Sequence, residues 1–186
     1  MFQKQNCIYK KNAFDKHINK SLLQFNYYNN YTTPLCDSDN VTDDIGWSCA
    51  IKSIQMCLSS FFIKWKLKNK IIPMFYQESG NLSIHAFVEK CKELKCDEKH
   101  GHYFGIFQAL NIFKYLLDGE KILPRPIQIS TDNIIDIDLL DMEKPTILFF
   151  STRLGVSKLE NYYKELILLL FSCEHFEGLL GGVGNS

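Results

Sequence analysis

The chain has 186 residues with 21 basic and 21 acidic side chains, so its formal net charge at pH 7 is zero. This neutral balance provides no general attraction to nucleic-acid phosphates, which argues against a nucleic-acid-binding protein. At 46% hydrophobic residues, the chain can bury the core of a single domain over 1–186. Its longest apolar run, 166–171, is far shorter than the roughly 20 residues of a transmembrane helix, and no signal sequence opens the chain. We therefore expect a cytoplasmic protein without a transmembrane segment.

The first elements in chain order are a loop and a series of helices. Residues 19–44 are rich in Asn, Ser and Asp, which predicts a flexible surface loop. Apolar residues at spacings of three and four then predict a helix from Ser48, with an inward face of Ile51, Ile54, Leu58, Phe61 and Trp65. A second helix is expected after the N-cap Ser83, with Ile84, Phe87, Val88, Cys91 and Leu94 inward. A third is expected over 104–118, with Phe107, Leu110, Phe113 and Leu117 inward.

The later part of the chain has the pattern of strands. Apolar, β-rich runs at 126–129, 134–137 and 146–150 predict three strands, and a helix follows over 158–171. Residues 178–180 form a further short apolar segment that predicts a strand. Helices followed by strands favour an α+β fold.

Gly46–Trp47–Ser48–Cys49 at the start of the first helix is the sharpest chemical feature. A thiol in the first turn of a helix faces unpaired backbone N–H groups and the positive end of the helix dipole, both of which stabilise a thiolate. The same N–H groups can hold a developing oxyanion. Cys49 is therefore a candidate nucleophile, with Trp47 shielding one side of it. The alternative is a buried cysteine that begins a core helix.

A nucleophile needs a base, and the spacing of the histidines does not identify one. Cys91, Cys96, His100 and His102 have a C-x4-C-x3-H-x-H spacing that could bind zinc. Zinc ligands usually come in tighter pairs, and Cys91 already belongs to an apolar helical face. We therefore predict no metal and no cofactor.

The segment 42–56, Thr-Asp-Asp-Ile-Gly-Trp-Ser-Cys-Ala-Ile-Lys-Ser-Ile-Gln-Met, resembles the active-site segment of the autophagins. These are papain-like cysteine proteases that process the ubiquitin-like autophagy modifier. Further segments resemble the family in the same order along the chain. They are Tyr9–Lys11, Ser83–His85, Gly101–Gly105, Asp132–Asn133, Thr152–Gly155 and Gly181–Ser186.

This resemblance implies a papain-like α+β fold, with a helix-rich N-terminal part followed by a sheet. It implies that Cys49 is the nucleophile, that Tyr9 helps to form the oxyanion hole and that Trp47 flanks the thiol. Tyr103 lies where the family has a tryptophan that covers the catalytic cleft. The implied reaction is hydrolysis after the C-terminal glycine of the modifier, both in precursor processing and in release from phosphatidylethanolamine. The implied partners are the modifier and its lipid conjugate, bound by a monomeric protease.

The chain departs from the family pattern at several positions. Ser48 replaces a glycine, Ala50 replaces Met, and Lys52 replaces an arginine whose planar fork a lysine cannot reproduce. In the family, a segment Asp-Pro-His follows the Asn-Ser segment that 185–186 resemble. We therefore expect a sheet truncated at its C-terminal side, an incomplete domain and a chain that is inactive as a peptidase by itself.

Two other interpretations remain open. The protease of the ubiquitin-fold modifier also has Gly-Trp-Gly-Cys, followed by Ala and later Arg-Ser, which Ala50 and Lys52–Ser53 resemble. The Ser-Ile-His, Arg-Leu-Gly and Asn-Ser segments favour the autophagins instead. An interpretation of a different class is a non-catalytic remnant that binds the modifier, or a gene fragment.

Overall fold

The computed structural model describes residues 31, 34–35, 41–64, 68–96, 104–118, 128–130, 146–149 and 159–180. Contacts divide the chain into two compact units, one of 1–24 with 152–179 and one of 25–151 with 180–186. The assignment of 1–186 to one domain stays a prediction.

The predicted flexible loop over 19–44 lies largely outside the described residues. Where it is described, Tyr31 N–H bonds to the Thr42 carbonyl at 2.9 Å, and Leu35 N–H bonds to the Val41 carbonyl at 2.7 Å. Leu35 is buried. These residues therefore belong to the packed structure that precedes the first helix.

Helices make up most of the described part of the larger unit. They are α1 (Cys49–Lys64), α2 (Lys68–Ile71), a π-helical turn (Ile72–Tyr76), α3 (Ile84–Glu93) and α4 (Ile106–Asp118). The sequence predicts the three long helices but neither α2 nor the π-helical turn. α4 packs against both α1 and α3.

The core of this unit lies where these helices meet. The predicted inward face of α1 is confirmed at its described positions, since Ile51, Ile54, Leu58 and Phe61 are buried, while Trp65 lies outside the described residues. On α3, the buried Phe87 contacts Phe104 edge-on with ring centroids 5.2 Å apart, and Phe113 of α4 at 5.4 Å. Aromatic pairs at these separations add to the stabilisation that burial provides.

Two predicted core positions are wrong. Phe107 in the first turn of α4 is exposed, because at roughly 100° per residue it falls outside the arc that contains the buried Ala109, Ile112 and Phe113. Leu94 is also exposed, because it is the C-cap residue of α3, where the helical path ends. The N-cap prediction is confirmed: the Ser83 side chain accepts a hydrogen bond from Ala86 N–H at 3.2 Å.

Between α2 and α3 the chain makes a close reversal around the π-helical turn. The Leu82 N–H donates to the Met74 carbonyl at 2.9 Å. Gly80 lies so near that a Cβ there would be 2.4 Å from the carbonyl oxygens of both Pro73 and Met74. Because real Cβ atoms do not approach backbone so closely, only glycine fits at this position without a shift of the turn.

The C-terminus of α3 is closed by a Schellman motif with lysine in the left-handed position. Cys96 N–H bonds to the Cys91 carbonyl and Lys95 N–H bonds to the Lys92 carbonyl, each at 3.1 Å. Lys95 has a φ of 53°. Glycine usually occupies this position, because the left-handed conformation costs a residue with a Cβ about 1–2 kcal/mol.

Replacing Lys95 with glycine should therefore raise the free energy of unfolding, by about 0.5–1 kcal/mol. The expected gain is smaller than the conformational cost, since glycine also increases the entropy of the unfolded chain. Urea unfolding followed by circular dichroism measures it. The matched control, Lys92→Gly inside the helix, should lose about 1 kcal/mol. Equal losses in both variants would contradict the left-handed cap.

Two short strands, β1 (Gln128–Ser130) and β2 (Thr146–Leu148), pair in parallel with Ile129 opposite Ile147. Both fall within or beside predicted β-rich segments, and the strand predicted at 134–137 lies outside the described residues. The described part is thus helix-rich with little strand, which is consistent with the α+β prediction. Truncation of the sheet stays a prediction.

In the smaller unit, α5 (Asn161–Ser172) agrees with the helix predicted over 158–171. None of its residues is buried. The strand predicted at 178–180 is wrong, since these residues have no regular structure and pair with no described strand. Among the helices that the structure describes, none combines the length and the apolar character needed to cross a bilayer.

Candidate active site

The candidate nucleophile follows a tight turn that leads into α1. Gly46 has a left-handed φ of +84°, and an added Cβ would meet nothing within 4 Å, so the backbone conformation rather than crowding favours glycine. Ile45 N–H donates to Asp43 Oδ1 at 3.1 Å, an Asx-type bond that stabilises the turn. The turn leads to Ser48, whose carbonyl accepts a hydrogen bond from the N–H of Lys52 at 2.9 Å.

Ser48, which replaces the family glycine, fits at this position. Its side chain is fully buried, and its hydroxyl donates to the Asp44 carbonyl at 2.7 Å. Among the described residues the only non-glycine with a positive φ is Lys95, so Ser48 does not need the backbone freedom of glycine. The extra hydroxyl therefore ties the turn together one residue before the nucleophile.

Cys49 is the first residue of α1 and is half-buried. Its carbonyl accepts a hydrogen bond from the Ser53 hydroxyl at 2.8 Å. In the described part of the chain, no backbone acceptor meets the N–H groups of Cys49, Ala50 and Ile51. These are the orphan donors of a helix start, and together with the helix dipole they favour negative charge at this point. The arrangement can stabilise both a thiolate and an oxyanion.

Trp47 is only 4% exposed and belongs to the core of the larger unit. Its indole Nε1 donates to the Asp43 carbonyl at 3.3 Å, and its ring lies 6.2 Å from that of Phe104. Packing of this kind fixes the residue two positions before Cys49. A direct contact of Trp47 with substrate stays a prediction.

A buried polar cluster lies next to the start of α1. The Asp44 side chain is 0% exposed, and its Oδ2 lies 2.6 Å from Lys52 Nζ and 2.7 Å from the Tyr31 hydroxyl. Sequence reasoning marks Lys52 as a departure from the family but misses this cluster. Spacing along the chain contains no signal for it, because Tyr31 precedes Asp44 by thirteen positions.

Several candidate residues cannot be placed. Tyr9 and Tyr103 lie outside the described residues, so their proposed roles stay predictions. The general base is not identified either, since no hydrogen bond joins the Cys49 sulfur to a described histidine. The ring of His85, on α3, instead makes a T-shaped contact with the ring of Tyr31, with centroids 4.9 Å apart.

Of the residues with the zinc-like spacing, Cys91 is buried in the core, whereas His100 and His102 lie outside the described part.

Comparisons with known proteins identify the family. The model of the peptidase C54 catalytic domain matches residues 11–186. A probable cysteine protease atg4 of Schizosaccharomyces pombe is 32% identical over 151 residues, which cover 77% of this chain and 47% of that protein. The cysteine protease ATG4 of Candida albicans is 29% identical over 186 residues, which cover 91% of this chain and 41% of that protein. The chain thus spans less than half the length of these relatives. It belongs to the peptidase C54 family of thiol peptidases.

Proposed function

We propose that this chain carries the nucleophile of an autophagy cysteine protease with a papain-like fold. The substrate is a ubiquitin-like modifier, cleaved after its C-terminal glycine. The reaction serves both to process the precursor and to release the modifier from phosphatidylethanolamine. The observation that carries the proposal is the position of Cys49 as the first residue of α1, beside backbone N–H groups that have no described backbone acceptor.

In the proposed reaction, the Cys49 sulfur attacks the glycyl carbonyl carbon. The carbonyl oxygen becomes an oxyanion, which the first N–H groups of α1 and the hydroxyl of Tyr9 hold by hydrogen bonds. The bond to the leaving amine then breaks, the amine takes up a proton, and a thioester remains on Cys49. Water hydrolyses the thioester and frees the thiol. A general base must move both protons, and we assign it to no residue of this chain.

The neighbouring residues support this role in different ways. Trp47 and Phe104 pack together behind the turn, and Ser48 ties the turn to Asp44, so Cys49 starts from a well-packed position. Tyr103, which lies in the sequence where the family has a tryptophan that covers the catalytic cleft, takes the role of that tryptophan. We further propose that the protein acts as a monomer in the cytoplasm, where the lipid-linked modifier is presented to it at a membrane surface.

The test uses the autophagy modifier with its C-terminal glycine replaced by propargylamine, so that the alkyne takes the place of the glycyl carboxylate. The thiol adds directly to the alkyne to give a vinyl thioether, so the reaction needs no proton donor for a leaving amine. We expect one covalent adduct, located on Cys49 by peptide mass spectrometry. Cys49→Ala should abolish the adduct, and Cys173→Ala, which removes an exposed cysteine of the smaller unit, should leave it unchanged.

Other outcomes would replace the proposal. An adduct with the corresponding probe of the ubiquitin-fold modifier, and none with the autophagy modifier, would favour the protease of the ubiquitin-fold modifier. Binding of the autophagy modifier without an adduct would favour a non-catalytic binding protein. An adduct that survives Cys49→Ala would show that another cysteine is the reactive one.

A further inference from the structure

The polar cluster of Asp44, Lys52 and Tyr31 is the least expected feature next to Cys49. A fully buried carboxylate is costly unless it is paired, and this one receives two donors on the same oxygen, Lys52 Nζ at 2.6 Å and the Tyr31 hydroxyl at 2.7 Å. Removing one donor would leave the charge of the Asp44 carboxylate less well compensated in a low-dielectric site. The geometry around Asp44 is therefore strongly constrained.

Asp44 also holds the turn through its main chain. Its carbonyl accepts the Ser48 hydroxyl at 2.7 Å and the Ser48 N–H at 3.4 Å. Lys52, the partner of its carboxylate, lies on α1 about one turn after Cys49. Asp44 thus contacts the chain on both sides of Cys49, once through its carbonyl and once through its side chain.

We propose that Asp44, Lys52 and Tyr31 are positioning residues for the Cys49 thiol. They fix the turn 44–48 against the first turn of α1, so that the sulfur and the first N–H groups of the helix keep one mutual orientation. This inference rests on the proposed function and deepens it. Displacement of a reacting group by about 1 Å can cost a factor of 100 in rate, so a rigid anchor at this point has a chemical consequence.

The contacts of Tyr31 connect the cluster to the rest of the larger unit. Its ring meets His85 of α3 edge-on at 4.9 Å, and its N–H bonds to the Thr42 carbonyl at 2.9 Å. The cluster therefore joins the segment before the turn, the start of α1 and α3. In the described part of the chain, no hydrogen bond joins the Asp44 carboxylate to the Cys49 sulfur; its Oδ2 lies against Lys52 Nζ and the Tyr31 hydroxyl instead.

The experiment compares the reactivity of two cysteines in one molecule. Iodoacetamide alkylation is followed by peptide mass spectrometry, and the rate at Cys49 is divided by the rate at Cys173. Cys173 is exposed and is the C-cap residue of α5, so it lies at the negative end of a helix dipole, whereas Cys49 lies at the positive end of another. In the unaltered chain we expect a ratio above one, although Cys49 is less exposed.

Lys52→Met should lower this ratio by roughly tenfold, because the helix start and the thiol lose their fixed orientation. Lys52→Arg restores a charge that can bind the carboxylate and should keep the ratio within about threefold. The matched control is Lys90→Met, which breaks the exposed pair of Lys90 with Glu93 on α3 and should change nothing. An unchanged ratio in Lys52→Met, or no rescue by Lys52→Arg, would overturn the proposal.

A loss of folding is detected separately through Cys91, which is 1% exposed and stays unmodified in the folded protein. If Lys52→Met makes Cys91 reactive, the ratio is measured in Tyr31→Phe instead. This variant removes one hydroxyl from the cluster and leaves the ion pair of Asp44 with Lys52 in place. We then expect a fall in the ratio of about threefold, and an unchanged ratio would again overturn the proposal.

The modifier probe distinguishes a failure of the proposed function from a failure of the positioning role. An unaltered chain that forms no adduct contradicts the proposed function, whatever the alkylation ratio shows.

Discussion

Replacing Phe87 with alanine should lower the free energy of unfolding by about 3–5 kcal/mol, a large part of the roughly 5–15 kcal/mol that stabilises a domain. Phe87 is fully buried, and its ring contacts Phe104 at 5.2 Å and Phe113 at 5.4 Å. The substitution removes the centre of an aromatic cluster that reaches Trp47 through Phe104. The helices around it can close the resulting cavity only in part. Urea unfolding followed by tryptophan fluorescence and circular dichroism measures the loss.

Tyr115→Ala on α4 is the matched control, because it also removes a large aromatic ring but from a position that is 56% exposed. Its free energy of unfolding should stay within about 0.5 kcal/mol of the unaltered chain. Similar losses in the two variants would contradict the assignment of Phe87 to the core.

Gly80→Ala should lower the free energy of unfolding by about 2–3 kcal/mol, because the new methyl group would overlap two backbone oxygens. Those oxygens belong to Pro73 and Met74, and each lies 2.4 Å from the position of the added Cβ. A flexible side chain could move aside, but a backbone turn can yield only by shifting the hydrogen bond from Leu82 to Met74. Chemical unfolding and the loss of protection of the Leu82 amide in hydrogen exchange would both report this shift.

Gly46→Ala separates crowding from conformation. Nothing lies within 4 Å of an added Cβ at Gly46, so only its φ of +84° opposes the substitution, at a cost of about 1–2 kcal/mol. Its effect should also differ in kind: the alkylation rate of Cys49 changes with Gly46→Ala, whereas Gly80→Ala acts on stability alone. A larger loss of stability at Gly46 than at Gly80 would refute this distinction.

The local part of the fold could be predicted from the sequence. The inward face of α1 and the Ser83 cap of α3 both follow from residues within one or two helical turns, and the structure confirms them. The position of Cys49 at the start of a helix is local in the same sense. Phe107 shows the limit of this reasoning: it falls outside the arc of α4 that is buried, and which arc is buried depends on the packing of the neighbouring helices.

The amino-acid pattern by itself determined the four long helices to within a few residues, the Ser83 cap and which cysteine lies at a helix start, because helix formation and capping depend on near neighbours. Only the tertiary structure decided that Asp44 is buried against Lys52 and Tyr31, that Trp47 is covered by Phe104, and that Gly80 touches the turn at Pro73 and Met74. These contacts depend on how α1, α3 and α4 pack together. A buried carboxylate can be tolerated only where that packing supplies its donors, and no spacing along the chain encodes their distance.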